Sequence, residues 1–549
     1  MPSVEWFRQA MLDFHSQRAI PGVTSHRIRR YIGWILGEET RRYWLSRRIF
    51  RLVLRIVHKA LGRQLPTDPQ RQLPTDPQPA LAAITVFPLD YVPITPPKVN
   101  YSYPDVAVIP TPFGSTVNAL TDTLDALPDS VAWVMFTSSG DPGVASLLRE
   151  QITANADVVF ADEAGRNPLL PTLKAAAVGT HTLLSYNVVG RPALVRLQAL
   201  REVGGLRPEA GVAYEHDLYL RLSERQAIFQ HVPLVLPGGY DGAWFDQPAL
   251  ITDTQTVVEA ALARRGWDGS VTPGVLPGLS DWRPSVPPSL PTVDIVIPTR
   301  DRIDLVKNCL SAIESVTTYP HWNIIILDND STEPASREFF ATTRYPVVPC
   351  PGPFNYAAIM NRGIRHATAD YVLTLNNDTV VLTPDWLEQL LGLASLPDVG
   401  IVGACLVDQY GRGEHESVVI APFPQHLRTW SNYPFVDHFS RATRDVAAVT
   451  GAVQLFKRSF YEQLRGMDEE LRVTMNDVDL CLRSHNEGKT VIYTPHVRLT
   501  HHVSSSRGSL NPFEDRNHFL FRWDVLGSFK DPFFPETLRL YGETMYYRP

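Results

Sequence analysis

Three polar side chains follow directly on an apolar run in the stretch LTLNNDT, residues 373–379. Asn376, Asn377 and Asp378 stand where a buried strand would leave a hydrophobic core, which is a place for either turn residues or ligand contacts. Two earlier apolar runs, VDIVIP and NIIIL, are also followed by polar side chains, in the sequences TRD and DND. A single cluster of this kind is commonly a turn, but three on successive strands favour a shared polar site.

The elements that would position these side chains alternate between strand and helix patterns. Short apolar runs at 293–298, 323–327, 371–375 and 400–407 predict strands buried on both faces, and residues with helical spacing lie between them. This order predicts an α/β fold with a mostly parallel sheet and flanking helices. Because ligands bind beyond the carboxyl ends of parallel strands, we expect the three polar clusters to meet at one edge of the sheet.

Further acidic and histidine residues lie downstream and could serve the same site. Asp477 and Asp479 open a predicted helix in MNDVDLCLR, where acidic residues either complement the helix dipole or hold a carboxylate that accepts a proton. His501 and His502 follow the strand-like run TVIYTP. A lone histidine is more often structural, whereas a histidine beside several carboxylates forms a ligand set suited to Mg²⁺ or Mn²⁺. The residues themselves leave both interpretations open.

Six motifs in a fixed order resemble those of glycosyltransferase family 2, over about residues 291–525: PTRDR, LDNDST, FNYAAIMNRG, LTLNNDT, VTGAVQLFKRSFYEQLRGMDEELRVTMNDVDLCLR and LTHHVSSSRG. The resemblance implies a GT-A fold, which is Rossmann-like. It implies an inverting transfer of a hexosyl or deoxyhexosyl group from a nucleotide-sugar donor to an acceptor hydroxyl. A divalent cation, Mg²⁺ or Mn²⁺, is the cofactor that the resemblance implies.

The resemblance also implies roles for single residues. Asp477 matches the general base, while Asp378 and His501 match the metal ligands. In the DxD-like motif the first position is Asn376, which predicts weaker metal affinity than an aspartate would give. The donor nucleotide would be bound by Thr299, Asp301, Asp328, Asn355, Asn376 and Asn377, and the acceptor or its support would involve Gly451, Asp479 and Arg507.

Composition and charge limit the class of protein. A chain of 549 residues with 44% hydrophobic residues is globular and too long for a single core. A net charge of −7 argues against a nucleic-acid partner. The four cysteines are widely spaced and indicate neither a disulfide framework nor a zinc site. No apolar run approaches the ~20 residues that span a bilayer, and the first residues lack a secretory signal, so a cytoplasmic protein is expected.

Domain boundaries follow from shifts in composition. Residues 1–62 are predicted to form a basic amphipathic helical arm, since eleven Arg and Lys lie from Arg27 to Arg63. Residues 63–80 contain the tandem octapeptide RQLPTDPQ and predict an extended spacer. A second Pro- and Gly-rich segment, within residues 251–291, predicts a linker before a catalytic domain at 292–549.

The remaining segment, residues 81–250, contains an echo of the catalytic half. Gly190 and Gly205 are spaced like Gly451 and Gly466, and the string EHD at 215–217 stands opposite DVD at 477–479. This spacing predicts a second, diverged GT-A-like domain. Opposite the NND triplet it offers Thr137, Ser138 and Ser139, and opposite His501 it has Gly239. Without metal ligands at those positions, the first half is expected to be non-catalytic.

The expected function is elongation of a bacterial cell-surface polysaccharide such as an O-antigen. The partners would be a nucleotide-sugar donor and a glycan or lipid-linked glycan acceptor. The basic arm is expected to hold the protein peripherally at the cytoplasmic face of the inner membrane, although a helical pair packed on the protein itself would also explain it. The alternative function is a non-catalytic glycan-binding or assembly subunit built on decayed transferase domains.

Overall fold

The computed structural model describes residues 103–111, 116–137, 142–164, 172–237, 248–421, 423–428, 437–501, 512–525, 527–536, 538–541 and 544–547. All of these residues belong to one compact unit, Phe87–Pro549. The predicted basic arm at 1–62 and the proline-rich spacer at 63–80 lie outside the described residues. Within the described part, no helix has the length and apolar character needed to cross a membrane.

The first half of this unit contains a five-stranded sheet. Its strands are β1 (Val106–Pro110), β2 (Trp133–Thr137), β3 (Val158–Ala164), β4 (Ala193–Arg196) and β5 (Phe229–Pro237). The accompanying helices are α1 (Val117–Asp125), α2 (Pro142–Glu150), α3 (Thr180–Ser185), α4 (Leu197–Glu202) and α5 (Tyr214–Glu224), with a 3₁₀ helix at Pro208–Ala213 before α5. Along the sheet the order is β1-β2-β4-β3-β5.

The middle of the chain, predicted as a linker at 251–291, is an ordered part of the fold. It holds the helix α6 (Pro248–Arg265) and a hairpin of β6 (Gly269–Pro273) and β7 (Ser280–Pro284). Trp282 of β7 is buried, and its indole nitrogen donates to Ser185 Oγ at 3.0 Å. Proline and glycine content alone therefore gave the wrong expectation here, because the two strands of the hairpin pair with each other and bury their tryptophan.

The second half is larger and follows the predicted alternation of strands and helices. Its strands are β8 (Val293–Thr299), β9 (Trp322–Asp328), β10 (Val347–Pro349), β11 (Tyr371–Leu375), β12 (Thr379–Val381), β13 (Val399–Val407), β14 (Gly413–His415), β15 (Val418–Ile420), β16 (Pro424–His426), β17 (Arg444–Asp445), β18 (Val453–Lys457), β19 (Thr490–His501), β20 (Leu538–Tyr541) and β21 (Thr544–Tyr547). Its helices are α7 (Ile303–Val316), α8 (Pro334–Thr342), α9 (Tyr356–Ile364), α10 (Trp386–Ser395), α11 (Asp437–Arg441), α12 (Arg458–Gln463), α13 (Asn476–Asn486) and α14 (Phe513–Arg522).

Parallel strands predominate in the main sheet of this half, as expected, but antiparallel strands that the sequence did not indicate stand among them. Its order is β10-β9-β8-β11-β18-β13-β19-β12. Strands β10, β9, β8 and β11 are parallel neighbours, whereas β18 runs antiparallel to both β11 and β13. The sequence could not show this because a continuous apolar run, such as VQLF in β18, has the same pattern in either direction.

The five strands of the first sheet have the same order and directions as five strands of the second. In both β1-β2-β4-β3-β5 and β8-β11-β18-β13-β19, the outer neighbours are parallel and the central strand is antiparallel to both of its neighbours. Strand β2 pairs Trp133 with Arg196, and β11 pairs Tyr371 with Lys457. In this register Thr137 stands opposite Leu375, so the positions opposite the NND triplet are 138–140, which lie outside the described residues.

Side-chain contacts after the central strand are also shared between the two halves. Asp479 at the start of α13 binds Arg483, whose guanidinium donates to the carbonyls of Leu464 and Gly466. In the first half, Asp217 binds Arg221, which donates to the carbonyls of Val203 and Gly205. Both aspartates are fully buried. These ion pairs connect the helix in each half to the glycine-containing turn that precedes it.

Candidate functional site

The predicted polar clusters meet at one edge of the main sheet. Strands β9, β8 and β11 are parallel neighbours, so Asp328, Thr299 and the NND triplet follow the carboxyl ends of three adjacent strands. Asn377 is buried and its Nδ2 donates to Thr299 Oγ1 at 2.9 Å, which ties two of these strand ends together. Asp328 is half-buried, and one of its oxygens accepts the Ser331 N–H at 3.0 Å.

Two residues predicted to bind the donor form hydrogen bonds within the protein. The Asp301 carboxylate accepts the backbone N–H groups of Thr332 and Glu333, at 2.7 and 2.8 Å. Asn355 caps α9: its Oδ1 accepts the Ala358 N–H at 3.0 Å, and its Nδ2 donates to the Glu469 carbonyl. These bonds hold loops and a helix start, and the donor contact expected of both residues stays a prediction.

The predicted metal ligands Asp378 and His501 lie side by side. His501 Nε2 is 3.4 Å from Asp378 Oδ1, and Asn376 Nδ2 is 3.4 Å from the same ring nitrogen. Antiparallel pairing of β12 with β19 brings them together, since Thr379 is opposite His501. The buried Asp378 Oδ1 has no hydrogen-bond partner among the described residues.

Glu414 is a member of this cluster that the motifs did not indicate. It is buried at the middle of β14, and its Oε2 lies 3.5 Å from His501 Nδ1. Burial lowers the pKa of His501, but the Asp378 and Glu414 carboxylates outweigh burial and raise this pKa to about 9. The available signal was the string GEHES just after a strand, where two carboxylates flank a histidine.

The side chains of this cluster suit a divalent cation, but they supply too few ligands to complete its coordination. In the part of the chain that the structure describes, the buried Asp378 oxygen has no hydrogen-bond partner, and with the imidazole nitrogen beside it this oxygen fits the oxygen and nitrogen ligands that Mn²⁺ accepts. Among the described residues, no group of three or more His, Cys, Asp or Glu side chains forms a metal site. Such ions are commonly held by one or two carboxylates together with substrate phosphates and water, so two protein ligands are compatible with a site completed by the donor.

Asp477 stands at the start of α13 and is oriented by the backbone of the central strand. Gly451, just before β18, donates its N–H to Asp477 Oδ2 at 2.7 Å. The Gly451 carbonyl accepts the hydroxyls of Tyr356 and Thr374, both at 3.0 Å. A Cβ on Gly451 would lie 3.2 Å from the Asp477 Cβ and 3.3 Å from the Tyr356 hydroxyl. This glycine therefore both leaves room for the carboxylate and fixes its direction.

Asp479 has a supporting role and does not reach the site. Its carboxylate is buried between Arg483 and the Trp523 indole N–H, at 2.8 and 3.0 Å. These bonds anchor the first turn of α13 and thereby hold Asp477, two residues earlier. His502 and Arg507, which the sequence also offered as site residues, lie outside the described residues.

A cavity of about 280 Å³ joins these parts of the site. Asp477 and Asn376 both line it, so the cavity extends from the start of α13 to the strand edge where Asp378 and His501 lie. Its remaining walls come from Tyr356, the turn 450–452 and the hairpin of β15 and β16. Among the predicted residues, the structure thus brings Asp477, Gly451, Asn376, Asp378 and His501 into one neighbourhood.

Comparisons with known proteins give consistent findings. Residues 294–465 match the family described as Glycosyl transferase family 2. The chain is 34% identical over 342 residues to the O-antigen biosynthesis protein RfbC of Myxococcus xanthus, which covers 59% of this chain and 26% of that protein. It is 26% identical over 222 residues to an N-acetylglucosaminyl-diphospho-decaprenol L-rhamnosyltransferase of Mycobacterium tuberculosis (strain CDC 1551 / Oshkosh), covering 35% of this chain and 71% of that protein.

A search of solved structures found the mannosyltransferase PcManGT from Pyrobaculum calidifontis in complex with GDP-Man and Mn²⁺. The match has 20% identity and a TM-score of 0.32, and it covers 44% of this chain and 64% of that chain. The family match ends before Asp477 and His501 in the sequence. The chain spans only about a quarter of the length of its Myxococcus relative.

Proposed function

Since the chain contains a domain of glycosyltransferase family 2, we propose that it transfers a sugar from a nucleotide-sugar donor to a hydroxyl of a glycan acceptor, with inversion at the anomeric carbon. The observation that carries this proposal is the placement of Asp477. Its carboxylate lines a cavity that continues to the polar strand edge, and the Gly451 N–H fixes its direction. A donor at the edge and an acceptor in the cavity would meet beside this carboxylate.

The chemistry that this arrangement supports is a single displacement. The acceptor hydroxyl attacks the anomeric carbon from the face opposite the diphosphate. Asp477 accepts the hydroxyl proton as the new carbon–oxygen bond forms, and the bond to the diphosphate oxygen breaks. The hydrogen bond from Gly451 leaves the carboxylate able to accept this proton. Inversion follows because a single attack on one face reverses the configuration.

The donor nucleotide would bind at the strand edge, against Thr299, Asp328, Asn376 and Asn377. A divalent cation, Mn²⁺ or Mg²⁺, would be held by Asp378 and His501, with Glu414 behind the imidazole. When bound, such a cation neutralises the negative charge that grows on the departing diphosphate. The Asp378 oxygen, which has no hydrogen-bond partner among the described residues, and the adjacent imidazole support this assignment.

We propose that the first half is a diverged copy of the catalytic half and has no transferase activity of its own. Shared strand order and the repeated Asp–Arg contacts support a common origin. Glu215, which stands opposite Asp477, is bound by the buried guanidinium of Arg191 at 2.9 Å. Arg191 also contacts the Tyr214 hydroxyl. Because this carboxylate forms an ion pair with an internal arginine, Glu215 is poorly placed to accept a proton from a substrate.

The proposed substrates come from bacterial surface-polysaccharide synthesis. The relatives are named for O-antigen biosynthesis and for rhamnosyl transfer onto a lipid-linked sugar, which supports a hexosyl or deoxyhexosyl donor and a lipid-linked glycan acceptor. Such acceptors lie at the cytoplasmic face of the inner membrane, and we propose that the basic arm at 1–62 brings the protein there peripherally. The arm itself lies outside the described residues.

A donor panel tests this function. The chain would be incubated with nucleotide-sugars of hexoses and deoxyhexoses plus Mn²⁺ or Mg²⁺, and donor consumption and the anomeric configuration of the product would be followed by NMR. We expect one donor to be consumed with inversion, and Asp378→Ala to lose metal-dependent donor binding. If no donor binds at any metal concentration, the transferase proposal is wrong and the alternative of a glycan-binding subunit takes its place. If the product retains the anomeric configuration, the single-displacement mechanism is wrong.

A further inference from the structure

Two histidines, at the ends of β14 and β16, stand next to each other beside the cavity that contains Asp477. His415 and His426 face each other with 3.1 Å between their Nδ1 atoms. His426 is the last residue of β16, is exposed, and lines the cavity together with Asp477 and Thr450. No sequence motif indicated either histidine, and the proposed transfer does not use them.

The hydrogen bonds determine where each proton lies. His415 Nε2 receives the Thr450 backbone N–H at 3.2 Å, so this nitrogen is an acceptor and the proton of His415 is on Nδ1. Nδ1–H of His415 then donates to His426 Nδ1, which leaves the proton of His426 on Nε2. The Thr450 amide therefore fixes both tautomers and makes His426 Nε2 a hydrogen-bond donor.

Both rings remain neutral in this arrangement. Burial lowers the pKa of His415 well below its usual value, with the nearby His426 adding to the effect. The pKa of His426, whose side chain is partly open to solvent, is lowered by packing of the protein around the ring, and the charge of Arg428 adds to this effect. Among the described residues, His426 Nε2 has no hydrogen-bond partner, so its N–H is available to a ligand at the surface of the cavity.

The cavity thus presents two complementary groups to a ligand. Asp477 accepts a hydrogen bond, and His426 Nε2 donates one. Apolar surface between them comes from Val418, Pro424 and Val478. With about 280 Å³, the cavity is at the small end of ligand pockets, which run from ~300 to ~1,000 Å³, and suits a single sugar unit.

We propose that this cavity is the subsite for the terminal sugar of the acceptor and that His426, held in its tautomer by His415, determines which acceptor is used. The hydroxyl that reacts donates to Asp477, while a neighbouring oxygen of the same sugar accepts from His426 Nε2–H. An acetamido carbonyl or a hydroxyl oxygen would meet this requirement, whereas a deoxy position would not. This inference rests on the proposed function, since it assumes that Asp477 receives the acceptor proton.

The test uses p-nitrophenyl glycosides of hexoses, deoxyhexoses and N-acetylhexosamines as acceptor probes with the full chain. The best glycoside would be titrated at saturating donor for wild type, His426→Phe and His426→Gln. Phenylalanine keeps an aromatic ring but has no hydrogen-bond donor, whereas glutamine keeps a hydrogen-bond donor but has no ring. We expect His426→Phe to raise the acceptor KM by about 5- to 30-fold, as for one lost hydrogen bond, with Gln recovering part of the loss.

Two controls distinguish a lost acceptor contact from a general loss of activity. The exposed His366, just after the end of α9, serves as a matched histidine, and His366→Ala should leave every parameter unchanged. Hydrolysis of the nucleotide-sugar without acceptor should be the same in all variants, because His426 does not contact the strand edge where the donor would bind.

An unchanged acceptor KM in His426→Phe, or a lower acceptor KM in His426→Phe than in His426→Gln, would overturn the inference and leave the proposed transferase function in place. If the wild type consumes no donor, the proposed function fails and the subsite falls with it.

Discussion

At the scale of single residues, the site combines groups that the sequence indicated with groups that it hid. Asp477, Asp378 and His501 could be predicted because each follows a strand or opens a helix with a recognisable motif. Glu414, His415 and His426 were not predicted, since they lie on short strands whose pairing partners are set by the tertiary fold. Motifs therefore indicate the proposed reacting groups, and the structure adds the groups that contact them.

Glu414 gives a prediction at this scale. Its carboxylate faces Nδ1 of His501, so it should fix the tautomer that leaves Nε2 for the metal. We expect Glu414→Gln to weaken Mn²⁺ binding by about 10- to 100-fold, as removal of such outer partners commonly does. Binding would be measured by calorimetry in the presence of nucleoside diphosphate. Glu338→Gln, at an exposed carboxylate on α8, is the matched control, and equal Mn²⁺ affinity in both variants would argue against this role.

At the scale of elements, strands and helices with long apolar patterns were predicted well. VDIVIP, YVLTL and GIVGACLV form β8, β11 and β13, and WLEQLLGLA forms α10. The direction of β18 and the hairpin of β6 and β7 were not predicted, because strand direction and the pairing of short segments depend on contacts distant in sequence. The common unit of both halves is a central antiparallel strand followed by a helix with a buried Asp–Arg pair.

This shared unit predicts matched effects on stability and different effects on activity. Asp479→Ala leaves the half-buried Arg483 without its carboxylate partner, and Asp217→Ala does the same to the buried Arg221. Loss of one partner of a buried pair commonly costs roughly 3–5 kcal/mol. We expect both variants to lower the melting temperature in calorimetry. Only Asp479→Ala should also slow transfer at temperatures where the protein is folded, since α13 carries Asp477. Loss of transfer in folded Asp217→Ala would instead give the first half a direct role in catalysis.

At the scale of the whole molecule, the two halves are joined by a buried ionic contact as well as by a common core. Buried apolar side chains of both sheets form one contiguous cluster. His181 of α3 stacks against Trp267 and Trp282, and its Nδ1 contacts Asp445 Oδ1 of β17 at 2.8 Å. Its Nε2 is 3.6 Å from Asp398 Oδ2. Composition predicted two separate domains, but it could not show that a charged pair would connect them.

This contact predicts how stability depends on pH. Burial lowers the pKa of His181, but Asp445 and Asp398 outweigh it and raise this pKa to about 9. Burial raises the pKa of Asp445, but His181 and hydrogen bonds lower it to about 2. The raised histidine pKa contributes stability that is complete below pH 6.5 and is lost as pH rises toward 9. The contribution of Asp445 is lost only below pH 3.8, as pH falls toward 2.

We therefore expect the wild-type melting temperature to fall between pH 6.5 and pH 9 more steeply than that of His181→Gln. The variant should be less stable at pH 6.5 because Asp445 loses its buried cation, and the difference should narrow as pH rises. Scanning calorimetry in buffers of equal ionic strength would measure both curves. Parallel curves over this range would show that the histidine is not charged in the folded protein.

The central claim is that Asp477 is the base of the transferase, and the variant Asp477→Asn tests it most directly. Asparagine keeps the size of the side chain and an oxygen for the Gly451 N–H, but it cannot accept the proton. Transfer rates and donor affinity would be measured together for wild type and variant, with Glu338→Gln as the control. We predict a rate lower by about 10²- to 10⁴-fold with donor affinity unchanged. A rate within a few-fold of wild type would contradict this claim.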